Sequence, residues 1–330
     1  MADQKVTTDE INQVCLSLLG ETPVEIRFPG GQDRKTVIVA LKDREVVVSK
    51  RASITRAKLE ARVIRALHPS GYVPELLGVK GKFVLQSMIE GGRLTAAMEN
   101  APLDGRKALL MAAGQSLLSF QKLGADAGLT NLAPQIGERE GWMFDYAQTP
   151  YRLAGLVDYT VEHYDAEAIA TRLKAKERAF VKWDARPGNA LLDESGRVVW
   201  IDWEHCGVGS AEDDLVWLLA DEWSPISEEA EGSLLETLSA MSDLTPDETA
   251  FRFHAKAVLH SMIRLQLIFR RKGDGGWWNV RQSMEHDRVG VSRAHVRRVV
   301  TRAKRWALIY PELQMLAGLL EATESYAESL

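Results

Sequence analysis

The sequence predicts an α+β, bilobal chain. A small β-rich N-terminal lobe is expected over residues 1–88, and a larger, mainly helical C-terminal lobe over residues 89–330. Three observations carry this. Residues 24–50 hold three short runs rich in β-branched residues with a polar turn between the last two, which is how strands and hairpins read. Beyond residue 89 apolar residues recur at helical spacing, between cap and stop signals. Between them lies a compact polar motif, Lys182 to Glu204, folded back on itself by a hairpin.

Taken in order, residues 8–19 read as an amphipathic helix with Thr8 as cap, Ile11, Val14, Cys15, Leu18 and Leu19 on one face, and Gly20 as stop. Strands are expected at Val24–Phe28, Thr36–Leu41 and Glu45–Lys50. The helix at 55–67 places Leu59, Val63, Ile64 and Leu67 on one face, with Glu60 beside it. A turn and short strand at 72–79 and a further strand at 82–88 complete a five-stranded antiparallel sheet with one helix, and a hinge falls at Gln86–Gly92. In the C-terminal lobe, helices are expected over 105–122 with Asp104 as cap, and from Asp165 to about Ala179. Others start at Thr245-Pro246-Asp247-Glu248, near Ser292 and near Pro311.

Composition excludes several classes. The 330 residues carry a net charge of −5, so overall electrostatics give no cause to expect nucleic acid or a membrane surface as partner. No run is long and apolar enough to span a bilayer. The N-terminus lacks a signal-peptide core. Two cysteines, Cys15 and Cys206, form neither a disulfide framework nor a zinc pattern, so a reducing cytoplasm is expected. The sequence fixes no oligomeric state.

The chemistry concentrates in Lys182-Trp183-Asp184-Ala185-Arg186-Pro187-Gly188-Asn189 and Ile201-Asp202-Trp203-Glu204. The hairpin between them brings Asn189 and Asp202 to neighbouring strand ends. A carboxylate beside a carboxamide oxygen suits Mg²⁺, a hard cation that takes oxygen ligands. Asp184 is a second carboxylate within reach, able to take a proton from a hydroxyl. Together these are the parts that phosphoryl transfer from ATP requires. Upstream, Lys50 closes a strand, where it also reads as a lysine snorkelling at a strand end; Glu60 is the best candidate to pair with it and reads equally as a solvated helix residue. Gly30 and Gly31 open the loop before the second strand. They fit either a phosphate-covering loop or a plain hairpin.

On these residues the chain resembles the small-molecule kinases of the aminoglycoside phosphotransferase and choline kinase-like group, which share a bilobal fold with protein kinases. Pro187-Gly188-Asn189 and Ile201-Asp202-Trp203-Glu204 match the group's pattern as they stand. The resemblance implies Asp184 as catalytic base, Asn189 and Asp202 on Mg²⁺, and Lys50 on phosphates with Glu60 as its partner. It implies Asp214 as a brace for the catalytic loop, Glu204 as support for the metal site, and the backbone of Gln86–Met88 against adenine. Lys182 departs from the group, which usually has histidine there; a lysine beside Asp184 favours its ionised form. The expected reaction moves the γ-phosphate of ATP to a hydroxyl of a small molecule. A catalytically weak, nucleotide-binding pseudokinase is the alternative. A protein kinase is disfavoured because no Asp-Phe-Gly or Ala-Pro-Glu segment follows.

The acceptor is the least legible part. Asp221 and Glu222 end an apolar helix near the motif and suit a cationic acceptor, while Trp277 and Trp278 suit either stacking on a sugar or ammonium group or ordinary packing under a loop. Arg264 and later arginines suit an anion or simple charge balance, and His254 and His260 read as structural residues of a long helix.

Overall fold

The computed structural model describes residues 6–29, 35–174, 178–272 and 292–330. Helix α1 (Thr8–Leu19) is capped by Thr7, not Thr8. Thr7 Oγ1 accepts the Glu10 N–H at 3.3 Å, while the Glu10 carboxylate accepts the Thr7 N–H at 3.0 Å. A capping box needs its acid three residues after the cap, and that spacing selects Thr7. Gly20 ends the helix in the left-handed region, φ 72°, where glycine has no steric cost.

Strands β1 (Glu25–Arg27), β2 (Thr36–Ala40), β3 (Glu45–Lys50), β4 (Leu76–Lys80) and β5 (Phe83–Ser87) form one antiparallel sheet in the order β1-β2-β3-β5-β4. Val46 and Val48 of β3 point toward α1, into a core with Ile11, Val14 and Cys15. Helix α2 (Ile54–Leu67), capped by Ser53, buries Ala57, Val63, Ile64 and Leu67 in the other, larger core with Val84. The sheet therefore separates two apolar layers, and alternate residues of β5 serve different ones: Phe83 and Leu85 join the α1 side and Val84 the other.

After β5 the chain crosses to the hairpin that follows Asn189. Strand β6 (Gly91–Arg93) pairs with β8 (Ala190–Asp193), which pairs with β9 (Val198–Trp200). Gly91 has φ 143°, and a Cβ there would lie 2.0 Å from the Leu192 carbonyl oxygen, so only glycine admits this approach. Helix α3 (Leu94–Asn100) precedes α4 (Leu103–Asp126). Asp104 does not cap α4: the helix starts two residues earlier than expected, at Leu103 after Pro102, with no side-chain cap. A stretch holding Trp142, Phe144, Tyr146 and Tyr151 folds as α5 (Trp142–Ala147) and α6 (Thr149–Leu156). Helix α7 (Ala166–Leu173), capped by Asp165, ends well short of Ala179. Instead Ala179–Val181 forms β7, paired with β10 (Gly207–Gly209). Strand pairing here overrides helical propensity, because Phe180 and Val181 are buried.

Helices α8 (Asp213–Leu219), α9 (Glu228–Met241), α10 (Pro246–Lys272), α11 (Arg293–Ala307) and α12 (Leu316–Ser329) complete the described chain. The last begins at Leu316, with turns rather than a helix after Pro311. Trp200 Nε1 donates to Ser116 Oγ of α4 at 2.7 Å, and Trp203 packs edge-on against Phe120 at 4.9 Å. These buried contacts seat the hairpin on α4. No helix among the described residues is long and apolar enough to cross a membrane.

Candidate active site

The loop from β7 to β8 is held in an uncommon backbone conformation. Trp183 and Asp184 have φ of 54° and 49°, and Asp202 has φ 60°. Each such non-glycine residue costs on the order of 1 kcal/mol and persists only where its surroundings enforce it. Asp214, at the start of α8, supplies that enforcement: its two oxygens accept the N–H groups of Lys182 and Trp183, both at 2.8 Å. Burial pushes the Asp214 carboxyl up to about 7, against the pull of those amides and of Lys182.

Asp184 is gripped on both oxygens. Arg186 Nε donates to Oδ1 at 2.9 Å, and Asn189 Nδ2 donates to Oδ2 at 2.7 Å and to the Asp184 carbonyl at 2.9 Å. The short 3₁₀ turn Pro187–Asn189 makes this reach possible. The Ile201 N–H then donates to the Asn189 carbonyl at 3.0 Å, which brings Asp202 alongside.

Lys182 is fully buried. Its Nζ donates to the Asp202 carbonyl at 3.1 Å and lies near the rings of Trp203 and Trp200, 5.3 and 5.7 Å from their centroids. Burial pulls its pKa below the usual lysine value, while Asp184, Asp202 and Asp214 pull it back. Lys182 thus supports the backbone on which Asp202 stands.

Lys50 and Glu60 are not brought together. Lys50 Nζ bonds both oxygens of Glu10 on α1, at 2.7 and 2.9 Å. Glu60 is paired with the next residue, Arg51, through a two-pronged contact from Nε and, at 2.6 Å, Nη2. The cause is strand alternation. Lys50 shares the α1 face with Val46 and Val48, so the residue reaching the cleft is one position on. Three consecutive valines hide this parity in the sequence. Gln86 Nε2 (3.3 Å) and the Trp203 N–H (3.4 Å) also reach Glu60 Oε1. Arg51 Nη1 lies 3.0 Å from Asp202 Oδ1 and 3.8 Å from Glu204 Oε1. Arg51 was missed in the sequence, where a lysine at the strand end was the stronger signal.

The donor set fits Mg²⁺. Asp202 Oδ1 is buried and receives no hydrogen bond, its 3.0 Å approach to Arg51 notwithstanding. Asn189 commits its Nδ2 to Asp184, which leaves its Oδ1 to act as an acceptor. Burial would raise the Asp202 carboxyl, but Arg51 and then Lys182 outweigh it and hold it below its ordinary value. Two protein oxygens are few for a metal cage, and no cluster of three or more His, Cys, Asp or Glu suited to a metal occurs among the described residues. Mg²⁺ is commonly held by one or two protein groups together with substrate phosphates and water.

Asp221 and Glu222 do not line an acceptor pocket. Both are fully buried, and Glu222 is clamped by Arg264 at 2.8 and 2.6 Å, with Asp221 3.5 Å from the same guanidinium. They balance a buried arginine of α10. Arg298 and Arg305 are likewise paired, with Glu99 and Glu231. Met88 is half-buried and lies at the edge of a second cavity, beside the Asp193–Arg197 turn. Gly30, Gly31, Trp277 and Trp278 lie outside the described residues. A further feature went unread: a cavity of about 410 Å³ beside Trp183, walled by Trp142, Tyr146, Trp217 and His260. Its rings come from four separate segments, none with a local motif, and Arg152 of α6 adds a fifth.

The sequence profile described as the phosphotransferase enzyme family matches residues 25–254. No curated protein matches the chain. Among solved structures, the fold is similar to that of APH(2″)-IIa bound to gentamicin. The two are 14% identical over 96% of this chain and 99% of that one, with a TM-score of 0.54. It is also similar to spectinomycin phosphotransferase APH(9)-Ia bound to ADP and spectinomycin, with 10% identity, coverage of 98% and 99%, and a TM-score of 0.54. A variant of aminoglycoside 2′-phosphotransferase-IIIa with GDP bound aligns over 81% of this chain and 92% of its own, at 14% identity and a TM-score of 0.53. At these identities the likeness is one of fold: a bilobal, protein kinase-like architecture.

Proposed function

Because this chain belongs to the phosphotransferase enzyme family, we propose that it moves the γ-phosphate of ATP to a hydroxyl of a small molecule. The observation that carries this reading is the convergence of Asp184, Asn189 and Asp202, linked by the Asn189–Asp184 and Ile201–Asn189 hydrogen bonds. Asp184 orients the acceptor hydroxyl and takes its proton as the oxygen joins phosphorus and ADP departs. A loose phosphoryl-transfer transition state demands little basicity, so a carboxylate steadied by Arg186 is adequate. Asn189 and Asp202 would hold Mg²⁺, which when bound neutralises phosphate charge. Arg51, rather than Lys50, would meet the phosphates; its support is that it stands beside Asp202 while Glu60 fixes its guanidinium. Asp214 keeps the loop in its left-handed turn, and Glu204 supports the metal end through Arg51. The backbone of Gln86–Met88 would meet adenine. Solved relatives of the same fold carry ADP or GDP, which supports a nucleotide as donor. The buried free thiols of Cys15 and Cys206 accord with a cytoplasmic setting.

Titration calorimetry with ATP, with and without Mg²⁺, followed by an ADP-release screen over aminoglycosides, amino alcohols, sugars, nucleosides and aryl glycosides, tests the proposal. Mg²⁺-dependent binding and acceptor-dependent ADP formation are expected. Binding with no ADP formed from any acceptor would leave the pseudokinase reading in its place.

A further inference from the structure

The cavity beside Trp183 begins one residue from the proposed base, so what it accepts bears on what is phosphorylated. Its walls are rings in contact. Trp142 stacks on Tyr146 with centroids 5.5 Å apart and planes within 3°. Trp183 lies 6.2 Å from Trp142 and 5.5 Å from Trp217, and His260 abuts Trp217 at 4.2 Å. The Tyr146 hydroxyl is already committed to the Lys256 carbonyl at 2.9 Å, so the tyrosine offers its ring.

The charges at this cavity largely cancel, and the residue is positive. Asp145 is paired with Arg139, and Asp213 with Lys256 at 2.6 Å. Arg152 donates to Thr149 Oγ1 and has no carboxylate partner among the described residues. His260 is neutral: burial, together with Arg264, Arg186 and Arg302, pushes its pKa down to about 3. A cavity with paired carboxylates and one spare guanidinium opposes a polycation, although aromatic faces alone would tolerate one.

We propose that the Trp142–Trp183–Trp217 cavity is the acceptor site, and that it selects a ring-bearing alcohol without positive charge, seated by stacking and disfavouring amines through Arg152. This rests on the phosphotransfer reading for its consequence but not for its test, which reads binding directly. The full chain is titrated with phenyl β-glucoside and with its 2-amino-2-deoxy counterpart, using quenching of tryptophan fluorescence. The neutral glucoside is expected to bind at least about tenfold more tightly, as expected where one like-charge contact is added. Trp217→Leu weakens it about tenfold, in line with loss of one stacked ring. Arg152→Glu, a change on an exposed residue, brings the amino compound level or ahead. Equal or tighter binding of the amino compound by the wild type overturns the proposal. So does no binding of either, or an unchanged affinity in Trp217→Leu. ADP formation is followed in the same samples. Binding preference without phosphorylation counts against the phosphotransfer reading alone, and phosphorylation with the opposite preference counts against the cavity alone.

Discussion

Around Asp184 the cleft is lined by charged groups that fix one another, whereas beyond Trp183 it is walled by aromatic rings whose nearby charges are mostly neutralised. On the proposed reading the contrast follows from two tasks. Phosphate chemistry needs carboxylates and cations at set positions, so each is tied to a neighbour and the backbone is held in strained turns. A binding wall needs area and shape, which rings supply with few bonds.

The sharpest way to break the charged end is at Asp202. Asp202→Ala is expected to abolish Mg²⁺-dependent ATP binding, a loss of about 100-fold or more, since the metal would keep a single protein ligand. Calorimetry with and without Mg²⁺ reads this, and an unchanged metal dependence would remove Asp202 from the site.

Next comes the pair of cations at the end of β3. Arg51 and Glu60 are both buried, so Arg51→Met strands a carboxylate and should cost about 3–5 kcal/mol in stability. Lys50 and Glu10 form a partly exposed pair, and Lys50→Met should cost under about 1 kcal/mol. Urea unfolding measures both. Arg51→Lys keeps the charge but loses the fork, so it should weaken ATP binding about tenfold while Lys50→Met leaves it within about threefold. The reverse ranking would restore Lys50 to the nucleotide.

The smallest effect lies away from the cleft. The hydrogen bond from His295, with Arg298, against burial, holds Glu99 at about 2, down from 4.5. A depressed carboxyl stabilises the fold above its unfolded pKa, and the stabilisation is lost as pH falls through the folded value. Stability should therefore decline by about 1–2 kcal/mol, after allowance for solvent screening, between pH 4.5 and pH 2. Glu99→Gln should flatten that limb in unfolding midpoints measured across the range.

The charged end was legible because its parts are contiguous. Asp184, Asn189 and Asp202 lie on one loop and one hairpin, so spacing alone brings them together, and the Asp214 brace lies a dozen residues on. Arg51 was hidden by parity: a run of three valines gives no alternation to tell one strand face from the other. Asp221 and Glu222 were misread because acids ending an apolar helix look available until a distant residue, Arg264, is known to cover them. The ring-walled cavity joins α5, α6, the Trp183 loop, α8 and α10, and only tertiary packing makes them neighbours.

The central claim is that Asp184 serves the chemical step and not the nucleotide. Its most direct test is Asp184→Asn, compared with wild type in ATP affinity by calorimetry and in turnover by ADP release with any acceptor the wild type uses. Turnover is expected to fall by about 10² to 10⁴ while ATP affinity stays within about threefold. Equal turnover in the two proteins would contradict it.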